Sequence, residues 1–302
     1  MLVTPLPGAS RTNLLEALKH VYDGAVNARS GGGDNVHGYN TYMRWALEAV
    51  RMLRRQIAEA DLERLVLTHT FWALQAHTTP SVESVGQLVD AELDQRVSMF
   101  EEARDDLAAQ IARWPRYNWE YVVPDTSFFI QHPQKMEQLD LSEPLGLRGQ
   151  AVHLLVPIVV VDELDELKES KDPHVRWRAR HTLHVLDEVL PDPKWGGVLR
   201  SGEFSPVIGN VGIPSGEVTV EIVTDPPGHT RLPMVDDEII DRSLVFQALA
   251  GQRVTMITYD TGQSTRARVA GLTVKKISQP PEGDEPERDG ARRTAGRRRV
   301  VP

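Results

Sequence analysis

Three apolar runs in this chain end in acidic residues. Tyr121-Val122-Val123-Pro124 leads into Asp125, the run from His153 to Val161 leads into Asp162-Glu163, and the run from Val254 to Tyr259 leads into Asp260. Each run reads as a buried strand. In a parallel α/β sheet, ligands bind beyond the carboxyl ends of the strands, so these acids are expected to share one crevice. Crowded carboxylates repel one another, and a hard divalent cation with oxygen ligands relieves that repulsion. The pattern points to a site for Mg²⁺ or Mn²⁺.

The elements that would position these acids fill the second part of the chain. From Tyr121 onward, short β-branched runs alternate with amphipathic helices, the pattern of a parallel sheet with right-handed crossovers. The expected order is a strand at 121–123, a helix near 129–139, a strand at 152–158, a helix at 161–169 and a basic helix at 174–190. A Gly- and Pro-rich stretch follows. Then come a strand at 218–223 with period-two alternation, a helix at 237–249, a strand at 253–258, a helix near 265–270 and a last strand at 273–277.

Residues from Asn13 to about Trp114 carry helical periodicity almost throughout. Asn13 with Glu16 forms a capping pair before Leu14, Leu18 and Val21, and a second helix carries Trp45, Ala49 and Leu53. Ser30-Gly31-Gly32-Gly33-Asp34 separates them as a flexible loop. A third helix is expected over 61–76. The longest opens at Thr79-Pro80, carries an apolar stripe through Phe100 and Leu107 to Trp114, and stops at Pro115. The expected plan is a helical domain at 1–116, an α/β domain at 117–278 and a disordered tail at 279–302, rich in Pro, Gly, Glu and Arg.

Composition sets the outer bounds. The chain has 302 residues, 40% hydrophobic and 25% charged, an ordinary soluble balance with room for two cores. No apolar run approaches the length of a membrane span, and Met1-Leu2-Val3-Thr4-Pro5 lacks the basic start and apolar core of a signal peptide, so a cytoplasmic protein without membrane attachment is expected. Zero cysteines exclude disulfides, thiolate zinc sites and cysteine nucleophiles. The net charge of −9 does not advertise nucleic-acid binding, although metal-holding acids contribute to it.

Taken together, the acidic motifs resemble the PIN-domain family, compact α/β metal-dependent nucleases related in plan to flap endonucleases. The matching segments are Val-Val-Pro-Asp125-Thr126-Ser127, then Val-Pro-Ile-Val-Val-Val-Asp162-Glu163-Leu-Asp-Glu166-Leu-Lys168, then Asp236-Asp237-Glu238-Ile239-Ile240, and finally Thr258-Tyr-Asp260-Thr-Gly-Gln-Ser-Thr-Arg266-Ala267. The resemblance spans residues 122–277 and leaves the first 115 residues, and an insertion between Trp195 and Gly216, outside it. It implies a three-layer α/β/α domain with a parallel sheet, preceded by the all-helical N-terminal domain. It also implies phosphodiester hydrolysis, most often of RNA, with single-stranded DNA as the other candidate.

Two cations held a few ångströms apart would suit that reaction. On the resemblance, Asp125 is the shared ligand, Glu163 and Asp236 complete one site, and Asp260 serves a second ion or orients the attacking water. Asp237 competes with Asp236, and Asp241, one turn beyond Asp237, is a further ligand candidate. Glu163 similarly competes with Asp162 and Glu166. Thr126, Ser127 and Thr258 offer hydroxyls to the carboxylates or substrate, and Arg266 braces the acids or meets a phosphate.

Plainer readings stand beside these. An Asp after a strand is commonly a helix cap, and Asp236-Asp237-Glu238 suits a helix N-terminus. His181 and His184 lack a third neighbouring ligand. Arg176, Arg178 and Arg180 are either phosphate contacts or a solvated face. The apolar stripe ending at Trp114 is core, with a homodimer contact as its alternative. A haloacid-dehalogenase phosphatase would need an acid where Ser127 stands, and no glycine-rich nucleotide loop is present. A catalytically inactive RNA-binding or protein-docking module on the same sheet is the competing function.

Overall fold

A computed structural model describes residues 3–31, 33–76, 83–113, 119–147, 149–192, 196–205, 213–226 and 228–278. Apolar residues at helical spacing fold the first region into α1 (Arg11–Ser30), α2 (Asn35–Leu53), α3 (Glu59–Leu65), α4 (His69–Gln75) and α5 (Glu83–Arg113). The cap of α1 is Ser10, three residues before the expected Asn13, its hydroxyl accepting from Asn13 N at 3.4 Å. The helix expected over 61–76 is two helices. Thr68 interrupts it by capping α4, accepting from Phe71 N at 3.1 Å while donating to Glu92 at 2.7 Å. The stripe of α5 (Val85, Val89, Leu93, Phe100, Leu107) is buried among the helices. Thr79-Pro80 and Trp114 lie outside the described residues.

The remaining elements are β1 (Trp119–Pro124), α6 (Thr126–Gln131), α7 (Ser142–Leu145), β2 (Ala151–Pro157), α8 (Ile158–Leu167), α9 (Pro173–Val189), β3 (Gly197–Arg200), β4 (Glu203–Ser205), β5 (Ile213–Ser215), β6 (Val218–Val223), α10 (Val235–Ala250), β7 (Val254–Thr258), α11 (Thr261–Val269) and β8 (Thr273–Lys276). Six strands form one sheet in the order β3-β6-β2-β1-β7-β8. Every pairing in it is parallel except β3 with β6. The chain leaves β1 towards β2 and β6, then returns to place β7 on the other side of β1. The carboxyl end of β1 therefore lies at a topological switch point, where ligand crevices form.

Several boundaries differ from the sequence expectation for physical reasons. β2 stops at Pro157, and Ile158-Val159-Val160-Val161 is the first turn of α8 rather than strand. Val159 and Val160 are buried there, so packing overrides the β preference of branched residues. The helix expected near 129–139 ends at Gln131, because His132 precedes Pro133 and takes an extended conformation; a 3₁₀ turn follows at Met136–Gln138. α11 begins at Thr261, four residues early, capped by Asp260. Within the stretch read as an insertion, β3 extends the sheet and β4 pairs antiparallel with β5 as a separate two-stranded sheet.

Buried apolar residues from Val3 to Leu272 make one continuous cluster across the helical region and the sheet. Two polar ties reinforce it. Arg11 donates to Leu249 O at 3.2 Å, and Arg113 at the end of α5 pairs with buried Glu221 of β6 at 2.7 Å. The boundary expected at Pro115-Arg116-Tyr117-Asn118 and the tail at 279–302 lie outside the described residues. Among the described residues, no helix is long and apolar enough to cross a membrane.

Candidate metal centre

Asp125 follows β1 directly and caps α6, so one residue closes a strand and opens a helix. Its carboxylate is 3% exposed and held from several directions. Oδ1 accepts from Phe128 N at 2.8 Å, Oδ2 accepts from Thr258 Oγ1 at 2.6 Å, and the Ser127 hydroxyl lies 2.9 and 2.7 Å from the two oxygens. Ser127 in turn accepts from Tyr259 N at 3.0 Å, and Thr258 from Asp260 N at 2.9 Å. The hydroxyls of Ser127 and Thr258 thus lock β7 to the start of α6. Thr258 is 0% exposed, which leaves it no surface for a substrate.

Glu163 sits in the second turn of α8, half-buried, and accepts from Thr126 Oγ1 at 2.5 Å. Its competitors turn elsewhere: Asp162 is exposed and pairs with Arg231 at 2.6 Å, and Glu166 is exposed. Asp236 and Asp237 open α10, and both reach Arg266 of α11; the Arg266–Asp237 separation is 3.1 Å. Asp241 turns to Arg242. Asp260 caps α11, accepting from Gln263 N at 2.6 Å, and is exposed.

Electrostatics tie these acids together. Burial pushes the Asp125 carboxyl up to about 6 against the lowering effect of its hydrogen bonds, and the charge of Asp236 adds to the rise. Burial also raises Glu163, with Asp236 and Glu166 adding to it. Asp236 is itself raised, by burial first, with Arg266 opposing and Asp260 and Asp237 reinforcing. Asp236 is therefore the acid sensed by both Asp125 and Glu163, and it senses Asp260 in turn. Carboxylate oxygens alone, mutually repelling and partly desolvated, are a donor set that fits a hard divalent cation.

Sequence reasoning missed Gln263, 1% exposed, whose Oε1 lies 3.2 Å from the Thr258 hydroxyl. Its signal was the spacing Asp-x-x-Gln of a capping box. It also missed Asp225, His229 and Glu238, whose ligand atoms lie within 4.8 Å of one another and could hold an ion. There Arg231 pairs with Asp225 at 2.6 Å and Arg242 with Glu238 at 3.3 Å, so the carboxylates already have cations beside them. Two cavities of about 530 and 670 Å³ in the helical region share Leu67 and Trp72 as walls and contain none of the four acids after the strands and at α10.

Of the three arginines on α9, Arg178 is buried and donates to Phe129 O at 2.9 and 2.7 Å and to Gln134 O at 2.9 Å. It is a clamp on the segment after α6, out of reach of a phosphate. Arg176 donates to Ser170 O at 2.6 Å, and Arg180 meets Glu169 at 3.4 Å on the surface. His181 stacks on Trp177 and meets Glu137 at 2.8 Å, while His184 pairs with Glu188.

No curated protein matches the chain. Among solved structures, a domain of a functionally unknown protein from Methanocaldococcus jannaschii DSM 2661 is 13% identical, covering 56% of this chain and 99% of that one with a TM-score of 0.32, too low to carry a structural argument. The PIN domain family model matches residues 122–278, over half of the chain, taking in β1 with Asp125, α8 with Glu163, α10 with Asp236 and the cap of α11 at Asp260. The chain belongs to the PIN-domain family.

Proposed function

We propose that the protein is a divalent-metal-dependent phosphodiester hydrolase that cleaves RNA in the cytoplasm. Family membership supports this, because the PIN fold is generally nuclease-like, usually holds divalent metals and generally acts on nucleic acids. The observation that carries it is that Asp125 after β1 and Glu163 on α8, both raised first by burial, each feel the charge of Asp236 on α10.

In this reading Asp125, Glu163 and Asp236 hold Mg²⁺ or Mn²⁺, and Asp260 serves a second ion or orients the attacking water. A divalent ion bound there supplies an acidified water and offsets charge developing on the phosphoryl oxygens. The chain's own contribution is orientation. Phe128 N, Ser127 and Thr258 fix the Asp125 oxygens, and Thr126 aims Glu163. Asp237 stays with Arg266 at the rim, and Arg266 is the cation placed to meet a substrate phosphate.

The competing reading, an inactive module, draws on one observation: Arg266 already neutralises part of the cluster. A panel of labelled RNA and single-stranded DNA oligonucleotides, incubated with Mn²⁺, Mg²⁺ or EDTA, separates the two. RNA cleavage that stops in EDTA and in Asp125→Asn is expected. Cleavage persisting in EDTA after metal stripping sinks the mechanism, preference for DNA corrects the substrate, and no cleavage under any condition favours the inactive module.

A further inference from the structure

We propose that Arg266 is a resident counter-cation, displaced from Asp236 when a divalent ion binds and thereby freed to take a substrate phosphate. The proposal rests on the metal-dependent reading above and deepens it. Arg266 reaches from α11 to the first turn of α10, with Nη2 on Asp236 Oδ2 and Nε 3.1 Å from Asp237 Oδ1. The guanidinium thus occupies an oxygen of Asp236, the carboxylate read above as a metal ligand. Two cations crowded onto one carboxylate repel each other, and the divalent one has the stronger claim.

The arginine is built to leave. Its side chain is 38% exposed, and its buried Nε makes no hydrogen bond of proper geometry, so the contact with Asp237 is one of charge alone. A guanidinium released at that rim presents a planar fork suited to two phosphate oxygens. Metal binding and substrate binding then become ordered: the cation that quiets the empty site is the one that receives the strand in the loaded site. A merely bracing arginine would behave oppositely, holding Asp236 in place to strengthen metal binding.

The sign of the effect on metal affinity decides between them. Mn²⁺ is titrated calorimetrically into the full chain as wild type, Arg266→Gln and Arg266→Lys, with melting temperatures recorded in EDTA and in saturating Mn²⁺. Arg266→Gln should bind Mn²⁺ more tightly, by up to about fivefold, the factor that an exposed ion pair represents. It should melt lower than wild type in EDTA and regain the difference in Mn²⁺. Binding of a fluorescent phosphorothioate RNA, read by polarisation, should weaken in Arg266→Gln with Mn²⁺ and be unchanged without it, while Arg266→Lys restores only part of the loss. Weaker or unchanged Mn²⁺ binding by Arg266→Gln overturns the exchange and leaves the nuclease reading intact. Failure of the wild type to bind Mn²⁺ more strongly than Asp125→Asn overturns both.

Discussion

Buried charge is used in opposite ways at α5 and at the carboxyl end of β1. In the helical region Glu92 and Arg96, both 2% exposed, face each other at 3.2 Å on α5. Arg96 also donates to Arg64 O at 2.8 Å and Leu65 O at 3.1 Å, and Glu92 accepts from Thr68. Each charge there has its opposite, and two backbone carbonyls take up Nη1 of Arg96. At the carboxyl edge of the sheet, Asp125, Glu163 and Asp236 are gathered with their own kind, and Arg266 at the rim is the cation drawn to them. Paired burial fixes architecture, whereas like charges brought near one another cost stability until a cation offsets them.

The largest effect that would sharpen this contrast is expected in the helical region. Arg96→Met strands Glu92 without its cation and should destabilise the protein by about 3–5 kcal/mol in urea denaturation, with or without Mn²⁺. Adding Glu92→Leu should recover much of the loss; if the single variant costs nothing, the pair is not a structural element. Arg178→Ala, which strips the donors from Phe129 O and Gln134 O, should cost about 2–3 kcal/mol, since hydrogen bonds to a charged group are among the stronger ones.

At the sheet edge the sign should reverse. The Asp125 carboxyl is raised to about 6 in the fold, against about 3.9 in an unfolded chain. A raised acid favours folding below the unfolded value and loses that contribution as pH rises through the folded value. Asp125→Asn in EDTA should therefore match wild type near pH 4 and exceed it by about 1–3 kcal/mol at pH 8, the penalty being an upper figure for a carboxylate with this shift. A difference that stays flat across that range breaks the contrast between the two regions. The smallest effect belongs to the surface: Arg180→Ala, which loses one exposed pair with Glu169, should change stability by less than about 0.5 kcal/mol in the same urea assay.

The sheet and its acids were legible because their signals are local and repeated. Asp125 and Asp260 follow apolar runs and precede helices, and the structure places both as caps at the carboxyl edge. Position along the chain could not separate Asp236 from Asp237, for both open α10 and both reach Arg266; the charge that bears on Asp125 and Glu163 is that of Asp236. Ile158 to Val161 misled because four branched residues in a row look like strand, and burial of a helix face is invisible without its partners. Arg178 alternates with Arg176, half-buried, and Arg180, exposed, so nothing nearby in sequence marks it as the buried clamp. The group at Asp225, His229 and Glu238 spans a loop and a helix, and its ligand spacing follows no short motif.

The helix α10 is also a strut. Its 16 residues span about 24 Å at the usual rise, with Asp236 in its first turn and Gly251 just past its last. Gly251 takes a φ of +64°, and the Arg11 guanidinium fills the space a Cβ there would need, while also holding Leu249 O. The first residue of α1 is thus welded to the far end of the rod that carries Asp236. One rod thus runs from the start of α1 at one end to the turn that carries Asp236 at the other.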